Sequence, residues 1–207
     1  MSDGMGSRTL HLWALREDVV VRTDDDGSVV LSSGRFGTER IAEPDRIVRE
    51  MLRRMELGPV RPANVEVAPG RPAPQAWVTG PVLPPALAGL SRMVIRTLGM
   101  DDLKGPLLSV TPVAADATFA PDGVPGHPLR LPRDARMASA PAGLVLASAR
   151  SKHEVVLHRP EAAWVAAMLA WPVTAQTAAA ALPLPHTVVH DVLGYLVAAG
   201  MAVPADG

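Results

Sequence analysis

The first forty residues alternate between short β-branched runs and polar clusters, a pattern typical of β-strands. The runs Val19–Val21 and Val29–Leu31 are separated by an Asp/Gly cluster. Asp and Gly tolerate the positive φ angles that tight hairpin turns require, so these two runs predict a β-hairpin. The segment FGTERIAEP, residues 36–44, predicts a third strand beside it.

The pattern changes to a period of 3.6 from Pro44 onward, which predicts a helix over PDRIVREMLRRMEL. Proline suits the first helical turn because an N–H at that position has no intrahelical partner. The predicted apolar stripe consists of Ile47, Val48, Met51, Leu52 and Met55. A Pro-rich insertion at about 58–82 follows, and a second helix is predicted within residues 85–100.

The C-terminal third of the chain repeats this order of elements. Residues 142–160 predict a hairpin, and Pro160 opens a helix. A short Ala-rich helix with Thr174 as its N-cap comes next. The stretch LPHTVVHDVLGYLVAAGM, residues 184–201, predicts the last helix.

Two segments that occupy the same place in this order also align without a gap. Residues 83–100 and 184–201 both open with Leu-Pro, close with Gly-Met and share apolar positions between. The sequence therefore predicts a duplicated unit in an α+β protein. Two tandem winged-helix-like units are expected, each a small antiparallel sheet followed by about three helices, at 9–110 and 135–204 with a linker at 111–134.

Composition narrows the class of protein. Hydrophobic residues make up 48% of the 207 residues and aromatic residues only 3%, which predicts an aliphatic core. Trp164 and Trp171, seven residues apart, are expected to join that core, and Trp77 is expected to hold the Pro-rich loop against it. The chain has no cysteine, which excludes disulfides, thiolate catalysis and iron–sulfur clusters.

Charge and hydropathy favour a cytoplasmic protein. The net charge of −1 argues against a dedicated nucleic-acid binder, which is usually basic. The first residues lack the apolar core of a signal peptide. An uninterrupted apolar run of about 18 residues, as a membrane span requires, occurs nowhere in the sequence.

Residues 136–204 resemble a RiPP precursor recognition element, the PqqD-like winged helix that binds leader peptides of ribosomally synthesised peptides. The resemblance rests on a VL-S strand, an apolar third strand ending in Pro, an Ala/Leu helix, a T-x-x-x-A short helix and a last helix ending L-x-x-A-G-M-x-V. More narrowly, the segment is similar to the N-terminal recognition-like module of SagB/ThcOx-type peptide dehydrogenases. The flavin-binding domain that follows that module has no counterpart within these 207 residues.

The resemblance implies how such a module binds. An extended leader peptide would add as a strand to the open edge of the three-stranded sheet, in a groove between the third strand and the third helix. Val155 and Leu157 would face one side of that strand. The expected peptide-binding residues are Glu154, Val156, His158, His186, Val189, His190 and Leu193. The expected core face of the helix is Val188, Val192, Tyr195, Leu196 and Ala199, and Val197 is placed beside the groove.

The first copy offers a second candidate groove with different chemistry. Its expected members are Arg40, Ala42, Arg92 and Arg96, with Arg92 and Arg96 standing where the second copy has Leu193 and Val197. If both copies bind peptides, these substitutions predict different peptides. Which copy binds stays open at this point.

Metal binding and catalysis find little support in the motifs. His186 and His190 are four residues apart on one helical face, a spacing that allows two imidazoles to share a metal. A zinc site needs at least a third protein ligand, and the sequence supplies no HExxH pattern, so surface or groove-lining histidines are the favoured interpretation. A P-loop and a GxSxG elbow are also missing from the sequence, so neither an enzyme nor a cofactor is predicted.

The main structural alternative is a winged-helix DNA-binding regulator. The last helix contains no Arg, Lys, Asn or Gln, the side chains on which base readout relies. The first copy is better supplied, with Arg49, Arg53 and Arg54 in addition to its groove arginines, unless these form an ion-paired surface with Glu50.

The sequence thus predicts a non-catalytic partner protein that binds a precursor leader peptide and presents it to a separate tailoring enzyme, such as a dehydrogenase. A DNA-binding regulator and a scaffold without peptide binding are the alternatives. Oligomeric state stays open, a homodimer included.

Overall fold

The computed structural model describes residues 8–68, 71–72, 83, 85–120 and 123–205. The α-helices are α1 (Arg46–Leu57), α2 (Pro160–Met168), α3 (Ala175–Ala181) and α4 (His186–Ala198), and two 3-10 helices cover Pro62–Asn64 and Pro85–Met93. The strands are β1 (Thr9–Leu15), β2 (Val19–Thr23), β3 (Val29–Ser33), β4 (Gly37–Ile41), β5 (Glu66–Ala68), β6 (Arg71–Pro72), β7 (Val94–Met100), β8 (Pro106–Pro112), β9 (Leu129–Arg130), β10 (Arg136–Ala140), β11 (Gly143–Ala147), β12 (His153–Leu157) and β13 (Val203–Pro204).

Four sheets organise these strands. The largest has six strands in the order β1-β7-β8-β12-β11-β10, and a second has three in the order β2-β3-β4. Two-stranded sheets pair β13 with β9 and β5 with β6. The pairs β2/β3, β3/β4, β10/β11 and β11/β12 are antiparallel. The predicted α+β class with antiparallel sheets is confirmed.

The contacts divide the chain into two compact units. The N-terminal unit comprises His11–Thr97 and Thr111–Ala120, and the C-terminal unit comprises Met1–Leu10, Leu98–Val110 and Pro121–Gly207. These units are drawn differently from the predicted ranges 9–110 and 135–204. The expected linker at 111–134 contributes residues to both units, and its Ala117, Phe119, Leu129 and Pro132 are buried.

The N-terminal unit contains the predicted hairpin and third strand. Strands β2, β3 and β4 cover the three predicted segments, and the buried side of β3 carries Val29 and Leu31. The predicted apolar stripe of α1 is also confirmed, because Val48, Met51, Leu52 and Met55 are buried. These side chains share one core with Trp13, Leu15, Val19, Phe36, Val60, Val65, Leu83, Leu87, Leu90, Met93 and Val94.

The start of α1 corrects one detail of the prediction. The helix begins at Arg46, and the carboxylate of Asp45 caps it by accepting a hydrogen bond from the Val48 N–H at 2.8 Å. Pro44 therefore precedes the N-cap and does not occupy the first helical turn. An aspartate side chain satisfies an N–H that the helix leaves open, which sets the boundary here.

The predicted helix within residues 85–100 is wrong, and so is the structural equivalence of 83–100 with 184–201. Pro85–Met93 forms a 3-10 helix, and Val94–Met100 forms strand β7, whereas the other segment forms α4. The β-branched residues Val94, Ile95 and Thr97 favour a strand, and most of β7 is buried. A short apolar run does not distinguish a buried helix from a buried strand by its period.

The C-terminal unit follows its predicted order. The meander β10-β11-β12 is succeeded by α2, α3 and α4, and Pro160 is the first residue of α2. The N-cap prediction for α3 is confirmed, since the Thr174 Oγ1 accepts a hydrogen bond from the Thr177 N–H at 3.1 Å. The buried side chains are aliphatic, apart from Tyr195 and a few polar groups.

The prediction that Trp164 and Trp171 belong to the core is wrong. Trp164 is 45% exposed and Trp171 is 72% exposed. Helix α2 ends at Met168, so Trp171 no longer follows the helical face that the seven-residue spacing assumed. Trp77 lies outside the described residues, as do the other residues of 69–70 and 73–82 in the Pro-rich insertion.

The turn between β10 and β11 depends on Gly143. Its φ is +137°, and a Cβ at this position would overlap the backbone carbonyl of Leu157 on β12. We expect Gly143→Ala to lower the free energy of unfolding by about 1–3 kcal/mol, because the new methyl group meets backbone and not a flexible side chain. Urea denaturation of the purified protein measures this loss.

The matched control for this substitution is Gly126→Ala. Gly126 has no heavy atom within 4 Å of a built Cβ and no positive φ in the range that disfavours side chains. Equal urea midpoints for the two variants would contradict the close approach of the β10–β11 turn to β12.

Candidate functional site

The predicted docking strand, β12, lies inside a sheet. β11 is hydrogen-bonded to one side of β12 and β8 to the other. The alternation along β12 is as predicted, since Val155 and Leu157 are buried while Glu154 and Val156 are half-buried. The open edge expected at 153–159 is nevertheless wrong, because a strand of the same chain already uses the backbone groups that a peptide would need.

Strand β8 is fastened to β12 at the end of that strand. The His158 N–H donates to the Leu107 carbonyl at 2.9 Å. The His158 ring bridges two further groups, with Nδ1 at 2.9 Å from the Ala142 carbonyl and Nε2 at 2.9 Å from the Ser109 Oγ. A carbonyl only accepts, so Nδ1 carries a proton, and in the neutral ring Nε2 accepts from Ser109. The backbone and ring of His158 therefore link β12 to β8 and to the turn between β10 and β11.

An ion cluster centred on the buried Arg159, with the half-buried Asp102 and Glu161, lies next to the end of β12. The Arg159 guanidinium donates to Asp102 at 3.0 Å and to both carboxylate oxygens of Glu161. Hydrogen bonding by Glu161, with Asp102, raises the pKa of Arg159. The Arg159 guanidinium lowers the pKa of Glu161, chiefly through its hydrogen bonds.

Asp102 responds to the same partner. Its partial burial alone would raise the pKa, but hydrogen bonds from the Lys104 backbone N–H and the Arg159 guanidinium outweigh burial and lower the pKa of Asp102. Arg159 is only 9% exposed, so its charge is compensated in a poorly solvated position. The cluster thus ties the turn before β8 to the start of α2.

Helix α4 places the remaining predicted residues on different faces. The expected core face is confirmed, since Val188, Val192, Tyr195, Leu196 and Ala199 are all buried. Val189 and Leu193 are buried as well, so they present no surface to a peptide. Among the predicted helix contacts, His186 is exposed and His190 is half-buried beside Asp191.

Strand β4 is an edge strand of the three-stranded sheet in the N-terminal unit. At the β2–β3 turn the Asp24 N–H donates to the Ser28 carbonyl at 3.0 Å, and the Asp24 carbonyl accepts from the Gly27 N–H at 2.9 Å, so the backbone groups of Asp24 face the neighbouring strand. Bonded and non-bonded pairs alternate in an antiparallel ladder. Val30 and Ser32 of β3 therefore direct their backbone groups toward β2.

The register between β3 and β4 shows which backbone groups of β4 point away from β3. Val30 is opposite Arg40, and Ser32 is opposite Thr38. Since Val30 and Ser32 bond toward β2, the N–H and C=O groups of Arg40 and Thr38 point away from β3. Both side chains are exposed, and the sheet order places no further described strand beside them. The third strand of this unit thus offers the open edge that β12 lacks.

The 3-10 helix Pro85–Met93 packs beside this strand. The Arg92 guanidinium forms an ion pair with the Glu39 carboxylate of β4 and donates to the Phe36 carbonyl at 3.3 Å. Gly89 lies next to the same carboxylate, since a Cβ placed on Gly89 would be 3.9 Å from the Glu39 Oε2. Glu39 and Arg92 therefore link β4 to the 3-10 helix.

The other predicted members of this groove differ in exposure, since Arg40 and Ala42 are exposed and Arg96 is buried. Arg40 is exposed and forms ion pairs with Asp24 and Asp26, and Ala42 is exposed just after β4. Arg96 is excluded as a peptide contact, because it is 1% exposed on β7. Its guanidinium donates to the Ser91 side chain and stacks over the Phe119 ring at 5.0 Å.

The arginines of α1 form the ion-paired surface that the sequence left open. Arg53 and Arg54 both donate to Glu50, and these hydrogen bonds lower the pKa of Glu50 to about 2. Arg49 donates to the backbone carbonyls of Pro44 and Gly27. Guanidinium groups engaged in this way are less available for contacts with phosphates of DNA.

Within the described ranges, no group of three or more His, Asp or Glu side chains is arranged to hold a metal ion. Every described helix is too short or too polar to cross a lipid bilayer.

No protein-family model matches the chain, and no curated protein matches its sequence.

Sequence reasoning missed the groups that fasten β8. Asp102, Ser109 and Glu161 were not among the predicted site residues, although Glu161 follows the Arg-Pro pair that opens α2. Arg159 and Asp102 are far apart in the sequence, so only the pairing of β8 with β12 brings them together.

The cluster predicts a pH dependence of stability. The pKa values of Asp102 and Glu161 are lower in the folded protein than their unfolded values of about 3.9 and 4.3. Their stabilisation is therefore complete above these unfolded values and disappears as the pH falls through the folded pKa values. We expect the Asp102→Asn/Glu161→Gln variant to be less stable than the wild type at pH 7, with the difference closing toward pH 2.

Chemical denaturation across this pH range measures the difference. Asp101→Asn is the control, because Asp101 is an exposed neighbour outside the ion cluster. A difference that stays constant from pH 7 to pH 2 would rule out stabilisation by the ionised carboxylates.

Proposed function

We propose that the protein is a non-catalytic peptide-recognition partner in ribosomal-peptide biosynthesis. It binds an extended precursor leader segment by strand addition and presents it to a separate tailoring enzyme. The observation that carries the proposal is the open edge of β4, where the backbone groups of Thr38 and Arg40 point away from the sheet. An extended peptide pairs with such an edge through its own main chain.

The two units offer different edges for this role. Each contains a three-stranded antiparallel meander followed by an α-helix. In the C-terminal unit, β8 covers the third strand. In the N-terminal unit, the third strand ends its sheet among the described residues. The proposal therefore assigns leader binding to β4 and a structural role to β12.

The surroundings of β4 suggest what gives the peptide its register. Backbone pairing is indifferent to sequence, so selectivity must come from side chains beside the edge. The exposed Arg40 lies on the strand itself, and the Glu39–Arg92 ion pair marks where the 3-10 helix meets it. Arg40 is already paired with Asp24 and Asp26, so a carboxylate of the leader segment that reaches Arg40 would compete with these two aspartates.

The C-terminal unit offers a surface for the tailoring enzyme. Trp164, Ala167, Trp171 and Pro172 are exposed on and just after α2. Exposed tryptophans are enriched at protein interfaces, where they contribute a large share of the binding energy. The exposure of Trp164 on α2 and of Trp171 beyond its end supports the proposal of a protein partner, because a protein acting alone gains nothing from exposing two tryptophans.

Thr38→Pro tests strand addition directly. Proline removes the outward N–H of Thr38 without removing a hydrogen bond to β3, so the sheet is retained while the edge loses a donor. We expect the affinity for a fluorescently labelled leader peptide, measured by polarisation, to fall about tenfold or more. If a short precursor is encoded next to this gene, its leader segment supplies the labelled peptide.

Thr38→Ala is the matched control, because it shortens the same side chain and keeps the N–H. Circular dichroism of both variants verifies that the sheet is intact. Equal affinities for the two variants would refute binding at β4. A strongly salt-dependent shift of duplex DNA, with no binding of any leader peptide, would support a DNA-binding regulator instead.

A further inference from the structure

A cavity in the C-terminal unit is lined by three arginines. It has a volume of about 580 Å³, within the range of pockets that hold small molecules. Its lining residues are Arg130, Pro132, Arg133, Arg150, Gly200, Val203 and Pro204. The walls thus combine cationic groups with proline and valine surfaces, and neither the sequence motifs nor the proposed peptide binding accounts for them.

The backbone that carries these arginines is held by hydrogen bonds. Arg130 lies on β9 opposite Val203 of β13, and the Ala205 N–H closes this small sheet by donating to the Pro128 carbonyl at 3.0 Å. A turn from Pro132 to Ala135 carries Arg133. The cavity wall is therefore part of the folded framework.

The third segment is the turn that carries Arg150, between β11 and β12. Asp134 latches it to the Arg133 turn by accepting hydrogen bonds from the Ser148 hydroxyl at 3.0 Å and the Ala149 N–H at 2.9 Å. The Ser151 hydroxyl donates to the Ala199 carbonyl at 2.6 Å, which joins the same turn to the end of α4. Gly200 completes this wall with a φ of +70°, the conformation in which glycine ends helices.

The charges in the cavity are incompletely compensated. Arg133 and Arg150 are exposed, and within the described part of the chain their guanidinium groups have no hydrogen bond. The ionised Asp134 carboxylate lies near Arg150 and partly compensates its charge, but its hydrogen bonds come from Ser148 and Ala149, so the guanidinium N–H groups of Arg150 keep their donor capacity. Arg130 is half-buried and has interactions with other protein groups. Two guanidinium groups are therefore available to a ligand.

We propose that this cavity binds a small organic phosphate. Guanidinium groups pair with phosphate oxygens through two parallel hydrogen bonds, and several arginines match a dianion better than a monocarboxylate. The apolar wall of Pro132, Val203 and Pro204 would contact the organic part of the ligand. The site lies wholly within the C-terminal unit and does not depend on peptide binding at β4.

Isothermal titration calorimetry of the full chain with phenyl phosphate, inorganic phosphate and benzoate tests the proposal. Phenyl phosphate should bind saturably and about tenfold or more tightly than either of the other two, because only it supplies both the dianion and an apolar group. Arg133→Lys and Arg150→Lys should each weaken phenyl phosphate binding about tenfold, since lysine retains the charge but loses the bidentate fork.

Arg136→Ala is the matched control, because Arg136 is an exposed arginine of the same unit outside the lining. Its affinity for phenyl phosphate should equal that of the wild type. Loss of binding in this variant as large as in the cavity variants would mean a general positive field, and equal affinities for benzoate and phenyl phosphate would mean a non-selective anion site. Either result, or no saturable binding, overturns the proposal, as does arginine-dependent binding of duplex DNA or a phosphopeptide without binding of phenyl phosphate.

Discussion

The pairing of β8 with β12 is the constraint on which the C-terminal unit depends. A strand buried on its sheet face must also satisfy its lateral N–H and C=O groups, since an unpaired buried backbone group costs free energy comparable to a lost hydrogen bond. β8 meets this requirement from within the chain, and the bond from His158 to Leu107 fixes its position. The Arg159 cluster then brings Asp102 and Glu161 to the same corner. A strand held by so many groups is not readily displaced by a peptide.

The pairing with β8 distinguishes two meanders that have similar local structure. The β2-β3-β4 sheet and the β10-β11-β12 part of the six-stranded sheet have the same strand order and connectivity, and each is followed by a helix. What distinguishes them is the fate of the third strand, which depends on residues distant in sequence. An edge strand that stays open invites unwanted association, and charged side chains are a common protection. Arg40 and Glu39 place such charges on β4, which permits an open edge in a folded protein.

Local structure was predictable from the sequence where one signal acted alone. The Asp/Gly cluster between two β-branched runs specified the first hairpin, and the stripe through Met51 and Met55 specified the buried face of α1. Residues 83–100 carried two conflicting signals, helical spacing and β-branched residues, and tertiary pairing in the large sheet decided for a strand after Met93. The site was less predictable, because an edge is a property of the whole sheet. No pattern within 153–159 reveals that β8 lies beside it.

The arginines of this chain illustrate the same dependence on tertiary context. The sequence grouped Arg92 and Arg96 as one candidate surface, yet Arg92 forms an ion pair with Glu39 on a neighbouring strand and Arg96 is buried over Phe119. Arg133 and Arg150, which no motif singled out, converge on one cavity because two turns are latched by Asp134. A guanidinium group can recognise a ligand only if the fold leaves it without a protein partner and orients it toward open space. That condition favours the arginine cavity, whereas the β4 edge, whose arginines are ion-paired, would meet a peptide through its backbone groups.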